Sequence, residues 1–309
     1  MYLSRFGPAI EVRAPAKLNL LLEVLAKRND GYHEIQSLMV AVSLFDTLRF
    51  VADPGGQITL SCKWARGLRA REVLNSSRGH EPALGDLPEG TDNIAVQAAG
   101  LLRQHAGIQA GARLSLIKRI PSASGLGGGS SDAAATLVAA NEAWNLHWSR
   151  ERLGQLAAEL GSDVPFFLGT PAAICRGRGE RIQPVHGLGR LYFVIVRPPN
   201  GLLTHEVYQQ CRLADRPRRC EPLVVAARCG DTGRLGSLLF NRLQPAAEAL
   251  SPWIGKLKQQ LDRLNCLGHQ MTGSGTSYFG MCRHARHARR LAGRLRAWGE
   301  CGVYCAVSL

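Results

Sequence analysis

The sequence predicts an α+β protein with two domains, and three observations support this. A chain of 309 residues is longer than one small core usually organises. Its first part alternates apolar and polar side chains as the strands of an antiparallel sheet do. Beyond about residue 170, strand and helix patterns alternate again and indicate a second α/β layer. We therefore expect one domain at residues 1–170 and another at residues 171–309.

The first predicted elements are two antiparallel strands. Residues 10–26 alternate, and the pleat places Lys17 and Asn19 on one face, with leucines on the other. Asn29-Asp30-Gly31 is a turn signal, and an apolar segment over residues 32–50 follows it. A lysine and an asparagine therefore share one face of the first strand.

The next part of the chain is less regular. Residues 53–91 show little periodicity beyond a strand predicted at residues 57–62, so the rest is predicted to be an irregular excursion. A helix is predicted at residues 92–105 and a strand at residues 112–120. This strand leads directly into the most informative stretch of the sequence.

Residues 121–132 read PSASGLGGGSSD and open an alanine-rich helix. Four glycines in five positions let the backbone approach an anion, and the unpaired N–H groups of a helix's first turn attract negative charge. The pattern is neither GxxxxGK[ST] nor a complete GxGxxG. A flexible Gly/Ser linker is the alternative, but a linker is not normally followed by a helix of small side chains. The stretch predicts a phosphate-binding loop between a strand and a helix.

Asp163 follows the next predicted helix. That helix begins after the N-cap candidate Ser149 and ends at Gly161. Asp163 then stands beside the apolar segment at residues 164–168. Two interpretations remain open at this stage: a carboxylate held at a helix exit for chemistry, or a turn residue that bonds its own backbone.

The C-terminal half repeats strand and helix patterns. The predicted elements are a strand at 191–197, helices around 233–250 and 252–264, a glycine turn at 271–277 before an apolar strand, an arginine-rich helix at 283–298, and a closing strand at 302–308. Arg286, Arg290 and Arg294 fall on one helical stripe, which we interpret as a solvated face.

Composition excludes some classes of protein. No apolar run is long enough for a membrane span and the N-terminus lacks a signal-peptide pattern, so we expect a cytoplasmic protein without a membrane partner. The formal net charge of +14 fits nucleic acid, anionic membranes or phosphorylated small molecules without choosing among them. Nine cysteines in a reducing compartment are expected to be free thiols. A zinc site at Cys282, His284, His287, Cys301 and Cys305 is disfavoured by its spacing and by intervening arginines.

Five motifs in chain order resemble the GHMP kinase superfamily. They are APAKLNL at 14–20, DGYH at 30–33, the glycine turn at 121–132, GSDVPFF at 161–167 and MTGSG at 271–275. The glycine turn and MTGSG are shared across the superfamily, whereas the other three are similar to the branch that phosphorylates CDP-methylerythritol in the non-mevalonate route to isoprenoids. The resemblance implies an N-terminal domain like domain 2 of ribosomal protein S5, a ferredoxin-like C-terminal α/β layer, and a ligand cleft between them.

The resemblance also implies a reaction. The terminal phosphoryl group of ATP, with Mg²⁺ as a second cofactor, would pass to the 2-hydroxyl of the methylerythritol moiety. Asp163 would accept the hydroxyl proton, and Lys17 would stabilise the developing charge and orient Asp163. These roles agree with a reaction whose catalysis is mainly positioning and electrostatics.

The implied binding residues fall into two groups. The nucleotide group comprises Pro121, Ser122, Ala123, Ser124, Gly125, Leu126, Gly127, Gly128, Gly129, Ser130 and Ser131, with Asn93 and Lys118 lining the adenine pocket. The substrate group comprises Asn19, Tyr32, His33, Thr204, Tyr208, Gly273, Ser274 and Gly275. No metal ligands are assigned.

The chain departs from the superfamily pattern at three places, one of which is a longer excursion at about residues 62–90. Ala123-Ser124 stands where a glycine and an alanine are usual, which reduces backbone freedom before Gly125. Arg242 and Gln244 stand where two acidic residues are common, which leaves a metal or substrate role there open.

Alternatives to this function remain at the level of sequence. One is a GHMP kinase for homoserine or mevalonate, which would lack DGYH. Another, from a different class, is an RNA-binding S5-like protein, although Asp163 and the glycine turn together favour the enzyme and argue against nucleic acid as a partner. The oligomeric state is expected to be monomer or homodimer.

Overall fold

The structure is a computed structural model that describes residues 1–66, 68, 87–88, 90–299 and 301–309. Most of the irregular excursion predicted between residues 63 and 91 lies outside the described residues.

Strands and helices alternate along the described chain. The strands are β1 (Tyr2–Phe6), β2 (Ala9–Lys27), β3 (His33–Asp53), β4 (Ile58–Trp64), β5 (Gly111–Lys118), β6 (Ala172–Gly177), β7 (Arg181–Pro184), β8 (Tyr192–Arg197), β9 (Phe240–Asn241), β10 (Gly268–Met271), β11 (Tyr278–Cys282) and β12 (Gly302–Val307). The α-helices are α1 (Ile94–Ala106), α2 (Gly128–Ala143), α3 (Arg150–Leu160), α4 (Val164–Leu168), α5 (Thr204–Gln209), α6 (Glu221–Arg228), α7 (Thr232–Ser237), α8 (Gln244–Leu250), α9 (Pro252–Asp262) and α10 (Ala285–Trp298).

The described strands form two sheets. In the first, eight-stranded sheet the order is β1-β2-β3-β5-β4, with β6 also paired to β3, β7 to β6 and β9 to β2. The second sheet has four strands in the order β10-β11-β8-β12, all antiparallel. The first sheet continues beyond residue 170 through β6, β7 and β9, so the chain crosses between the sheets more than once.

Three apolar clusters hold these layers together. The first lies between the first sheet, for example Ile10, and helices α1 to α4. The second joins the two sheets, with Leu18 of β2 in the same cluster as Phe193 and Phe279, whose rings meet edge to face at 5.6 Å. The third lies between the second sheet and helices α9 and α10, and Leu22 reaches it. Strand β2 thus passes through all three clusters and loses its alternating exposure, because both of its faces are covered.

Local signals placed both ends of α3 correctly. Ser149 caps it, as predicted, by accepting a hydrogen bond from the Arg152 N–H, and α1 is capped by Asn93, which accepts from the Ala95 N–H. Helix α3 ends before Gly161, as predicted. The strand over residues 10–26 and the Asn29-Asp30-Gly31 turn are also confirmed, with Gly31 at φ +85°.

The prediction of one helix around residues 233–250 is wrong. Helices α7 and α8 are separated by β9, whose Phe240 and Asn241 pair in parallel with Leu21 and Leu22 of β2. A pairing between residues so distant in sequence overrides local helical preference.

Cysteines, candidate metal groups, the arginine stripe and membrane spans were the other subjects of the sequence analysis. Cys175, Cys211, Cys220, Cys229, Cys266, Cys282 and Cys305 are free thiols, as expected. Within the described residues, no group of three or more His, Cys, Asp or Glu side chains is arranged to hold a metal, which includes the cysteine–histidine group near the C-terminus. Arg286, Arg290 and Arg294 of α10 are exposed, as predicted. Across the described ranges, none of the helices combines the length and apolar character needed to traverse a bilayer.

Candidate active site

Two cavities meet at the glycine-rich loop between β5 and α2. One has a volume of about 800 Å³ and the other of about 1010 Å³. We call them the nucleotide cavity and the acceptor cavity, after the ligands that the sequence predicts for their linings. Four loop residues, Ala123, Gly125, Gly127 and Ser130, line both cavities. A ligand in either cavity therefore contacts the same short stretch of backbone.

The loop needs glycine at two positions. Gly125 has φ +73°, and a Cβ there would lie 2.2 Å from the carbonyl oxygen of Thr272. Gly127 has φ +72° and caps α2, and a Cβ there would lie 3.0 Å from Cγ of Lys17. The absence of these two side chains lets the loop pack against the MTGSG turn on one side and the β2 lysine on the other.

Lys17 and Asp163 form the charged pair of the acceptor cavity. Lys17 Nζ lies 3.3 Å from Asp163 Oδ2, and the exposed fractions of the two side chains are 4% and 29%. Asp163 occupies the N-cap position of α4, but its side chain makes no capping hydrogen bond. The interpretation of Asp163 as a turn residue bonding its own backbone is therefore not supported, because its carboxylate is directed to Lys17 and the cavity instead.

Asn19 holds the Lys17 ammonium from the same strand face. Lys17 Nζ donates to Asn19 Oδ1 at 2.7 Å, which confirms that the two side chains share a face. The Asn19 amide nitrogen donates to Ser37 Oγ at 2.8 Å, and the Thr272 hydroxyl donates to Asn19 Oδ1 at 3.1 Å. Asn19, Ser37 and Thr272 are all fully buried, so this network fixes the position of the Lys17 ammonium.

Aromatic and hydroxyl side chains line the far side of the acceptor cavity. The rings of His33 and Tyr208 are tilted by 36° with centroids 5.1 Å apart. Burial lowers the pKa of His33, with a smaller effect from Lys27, and burial followed by the charge of Asp163 raises the pKa of Tyr208. Both rings are therefore uncharged at neutral pH and suited to stacking.

Tyr32 and Thr204 lie at the entrance of the same cavity. Tyr32 is 52% exposed, with the guanidinium of Arg178 above its ring at 4.8 Å. Thr204 shares a hydrogen bond of 2.9 Å with Ser274 of the MTGSG turn. The catalytic and substrate residues predicted from sequence all line this cavity.

Asn241 and Gln244 hold the MTGSG turn in place, and Arg242 lies between them in sequence. Asn241 donates to the carbonyl oxygens of Met271 and Gly273, each at 2.8 Å. Arg242 pairs with the fully buried Glu23 at 2.7 Å, and Gln244 accepts from the Met271 N–H at 3.1 Å. Arg242 and Gln244 thus have structural partners here.

A buried ion cluster lies beneath the nucleotide cavity. Lys118 Nζ contacts a carboxylate oxygen of both Asp46 and Asp132, and Asp46 also accepts from the Ile120 N–H at 2.9 Å. Burial opposes the charge on Lys118, but Asp132 and Asp46 outweigh it and raise its pKa. Burial raises the pKa of Asp132 to about 7, against the attraction of Lys118. The cluster joins the strand before the loop to the helix after it.

The loop residues differ in what they face. Asn93, Lys118 and most of the predicted loop residues line the nucleotide cavity, whereas Leu126 and Ser131 do not. Leu126 packs in the apolar cluster that joins the sheets, and its carbonyl oxygen accepts from the Lys17 N–H at 2.9 Å. Ser131 is fully buried, and its hydroxyl has no hydrogen-bond partner within the described part of the chain.

Two residues on the nucleotide cavity wall were missed at the level of sequence. Asp132 was part of the loop motif, but nothing local indicated that it would line the cavity. Arg197 ends the apolar strand β8 before two prolines, a local signal too weak to suggest a site.

Comparisons with known proteins agree with this geometry. The model of the GHMP kinase N-terminal domain matches residues 93–170, and that of the GHMP kinase C-terminal domain matches residues 223–301. A 4-diphosphocytidyl-2-C-methyl-D-erythritol kinase of Pelotomaculum thermopropionicum is 40% identical over 94% of this chain and 95% of its own length. The enzyme of the same name from Thermobifida fusca is 39% identical over 95% of this chain and 93% of its own.

One solved structure supports the family and another supports only the fold. A crystal structure of 4-(cytidine 5'-diphospho)-2C-methyl-D-erythritol kinase has 33% identity and a TM-score of 0.75, and the match covers 97% of this chain and 99% of that one. A homoserine kinase from Cytophaga hutchinsonii reaches a TM-score of 0.71 at 19% identity over 100% of this chain and 97% of that one, which shows a shared fold only. The chain therefore belongs to the GHMP kinases, ATP-dependent kinases of small molecules, and within them to the family of the 4-diphosphocytidyl-2-C-methyl-D-erythritol kinases.

Proposed function

We propose that this chain transfers the terminal phosphoryl group of ATP to the 2-hydroxyl of 4-diphosphocytidyl-2-C-methyl-D-erythritol. The observation that carries the proposal is the Lys17–Asp163 pair, 3.3 Å apart in the acceptor cavity, next to the loop wall shared with the nucleotide cavity. Two relatives that match over nearly their whole length carry the name of that enzyme.

In this proposal Asp163 is the base and Lys17 is the electrostatic partner. As the substrate oxygen bonds to the terminal phosphorus and the bond to ADP breaks, the hydroxyl proton passes to Asp163. The Lys17 ammonium holds Asp163 in position and stabilises negative charge on the transferring group. Asn19 acts through Lys17, since its amide oxygen accepts from the ammonium.

The loop and the start of α2 bind the phosphates in this proposal. Backbone N–H groups at the beginning of a helix attract anions, and Ser130 adds a hydroxyl at the junction of the two cavities. Asn93 and Lys118 shape the rest of the nucleotide cavity. The Asn93 side chain is occupied by the Ala95 N–H and the Pro88 carbonyl oxygen, so Asn93 fixes the wall rather than offering a free amide.

Asp132 and Ser130 fit a magnesium ion. Asp132 Oδ1 is buried, has no partner in the described part of the chain, and belongs to a residue on the nucleotide cavity wall. Mg²⁺ is usually held by one or two carboxylates together with substrate phosphates and water, so a cage of several side chains is not required. When bound there, the ion would neutralise charge on the phosphate chain.

The acceptor cavity suits a cytidine diphosphate group. His33 and Tyr208 offer uncharged rings for a base, while Tyr32 at the entrance and Thr204 with the turn at residues 273–275 offer polar contacts for the linked phosphates and alcohol.

We also propose residues 1–170 and 171–309 as the two functional domains, with β6, β7 and β9 of the second completing the first sheet.

Turnover with a set of acceptors tests the proposal. Purified protein with ATP and Mg²⁺ should release ADP when 4-diphosphocytidyl-2-C-methyl-D-erythritol is added, and the phosphorylated product should appear in equal amount by mass spectrometry. Homoserine and mevalonate serve as control acceptors and should give no release above background. ADP release with either of these alcohols, and none with the cytidine compound, would overturn the assignment.

A further inference from the structure

Arg197 is a buried cation on the wall of the nucleotide cavity. It is the last residue of β8, in the second sheet, and only 2% of its surface is exposed. Its neighbours on the cavity wall are the loop residues 121–125 and the segment 199–201. Arg197 therefore places a positive charge from the second sheet beside the glycine-rich loop, which follows β5 of the first sheet.

Neutral oxygen atoms orient the Arg197 guanidinium. Its Nη1 donates to the Asn200 carbonyl oxygen at 2.9 Å, to Thr276 Oγ1 at 3.0 Å, and to the Pro198 carbonyl oxygen. Its Nη2 donates to the Ser122 carbonyl oxygen at 3.4 Å. These contacts fix the plane of the group but supply no negative charge.

The charge on Arg197 is uncompensated. In the described ranges Arg197 forms no salt bridge with Asp or Glu, and its Nε–H has no hydrogen-bond partner. Burial lowers its pKa to about 10, against weaker effects of Tyr304 and Cys301, so it remains charged at neutral pH. A buried, unpaired guanidinium is costly unless an anion reaches it, and arginine is well suited to phosphate.

We propose that Arg197 binds the phosphate chain of the nucleotide and thereby ties the second sheet to the glycine-rich loop when ATP is present. The inference rests on the proposed function only in taking the 800 Å³ cavity as the ATP site.

Calorimetric titration without the alcohol substrate tests the proposal. ATP, tripolyphosphate and adenosine are titrated into the wild type, Arg197→Gln and Arg197→Lys. Arg197→Gln should weaken ATP and tripolyphosphate by about tenfold to a hundredfold, the loss expected for hydrogen bonds to a charged group. Its affinity for adenosine should stay within about twofold of the wild type, because adenosine lacks the phosphates. Arg228→Gln removes a positive charge from an exposed residue outside both cavities and should leave all three affinities unchanged.

A purely structural role predicts a different pattern. If Arg197 only supports the loops, ATP and adenosine should weaken by the same factor, and an unchanged ratio of the two affinities overturns the proposal. Should Arg197→Gln fail to fold, Arg197→Lys decides the question. A ratio of ATP affinity to adenosine affinity that is about threefold or more below that of the wild type supports phosphate binding, and an unchanged ratio refutes it. Absence of turnover by a wild type that binds ATP would instead refute the proposed function and leave this inference standing.

Discussion

Replacing Asp163 by Asn should slow the chemical step by about a hundredfold to ten-thousandfold, the range that a positioned general base contributes. The substitution preserves size, so the cavity keeps its shape and only the ability to accept a proton is lost. In free energy, this rate loss is about 3 to 5 kcal/mol of transition-state stabilisation. Affinities for ATP and for the cytidine substrate should stay within about tenfold, because the base acts mainly in the transition state.

The structure separates this effect from a loss of stability. At 3.3 Å, the attraction between Lys17 and Asp163 would be about 5 kcal/mol with an effective dielectric constant of about 20. Because the Asp163 side chain is 29% exposed, solvent screens the pair and we expect a net contribution to folding of at most about 1 kcal/mol. A loss of that size leaves the protein folded and cannot account for the predicted drop in rate.

The assay is ADP release at saturating ATP and acceptor, with calorimetry for both affinities and thermal unfolding for stability. Asp231→Asn is the matched control, since Asp231 is an exposed N-cap of α7 outside both cavities and Asn caps helices equally well. The control should retain full turnover. A variant with Asn at residue 163 whose kcat stays within about threefold of the wild type would refute the role of Asp163 as the base.

Three further predictions follow from the loop and the cavity walls. Gly127→Ala should lower the free energy of unfolding by about 1 to 2 kcal/mol and reduce kcat, because alanine disfavours φ +72° and its Cβ would press on Lys17 at 3.0 Å. The control Gly154→Ala, in an open helix position, should be neutral or stabilising in the same denaturant titration. Equal effects of the two substitutions on stability would contradict the argument. Asp132 binds a proton more tightly in the folded than in the unfolded protein, so its contribution to stability should fall as pH rises from about 4 to 7. Asp132→Asn should reduce this dependence of the free energy of unfolding on pH, measured by urea unfolding at several pH values. An unchanged pH dependence would exclude Asp132 as its source. Tyr208→Ala should raise KM for the cytidine substrate by about tenfold or more with kcat nearly unchanged, whereas Tyr208→Phe should change KM little. An equal rise in KM for both variants would show that the hydroxyl, and not the ring, binds the substrate.

Local patterns predicted those parts of the site that depend on neighbours in sequence. The pleat of β2 alone placed Lys17 and Asn19 together, and their 2.7 Å hydrogen bond confirms it. The glycine-rich stretch likewise indicated a turn into a helix, because its requirement for positive φ is local. For Asp163 the sequence left two interpretations open, since only the folded chain brings β2 beside the start of α4.

What local patterns missed depends on contacts between distant segments. The parallel pairing of Phe240 with Leu21 interrupts the helix predicted there, and no periodicity within residues 233–250 contains that information. The position of Arg197 could not be predicted for the same reason, because it lies on the cavity wall only through the packing of the second sheet against the first. Asp132 faces Lys118 for a similar reason, since the end of β5 and the start of α2 meet only when the loop is closed.

Gly127 lines both cavities and so has two roles in the proposed function. A phosphate loop needs glycine so that backbone N–H groups reach the anion, but any side chain at Gly127 would also press on Lys17 and move the ammonium that faces Asp163. The MTGSG turn imposes the same restriction from the opposite side, because a Cβ at Gly273 would lie 3.2 Å from Lys17 Nζ. Lys17 therefore lies in a slot formed by two glycines, one from the phosphate loop and one from the turn on the acceptor side. In the proposed function both ligands contact the walls of that slot, so we expect binding of either one to restrict the Lys17 ammonium to the position in which it meets the transferring group.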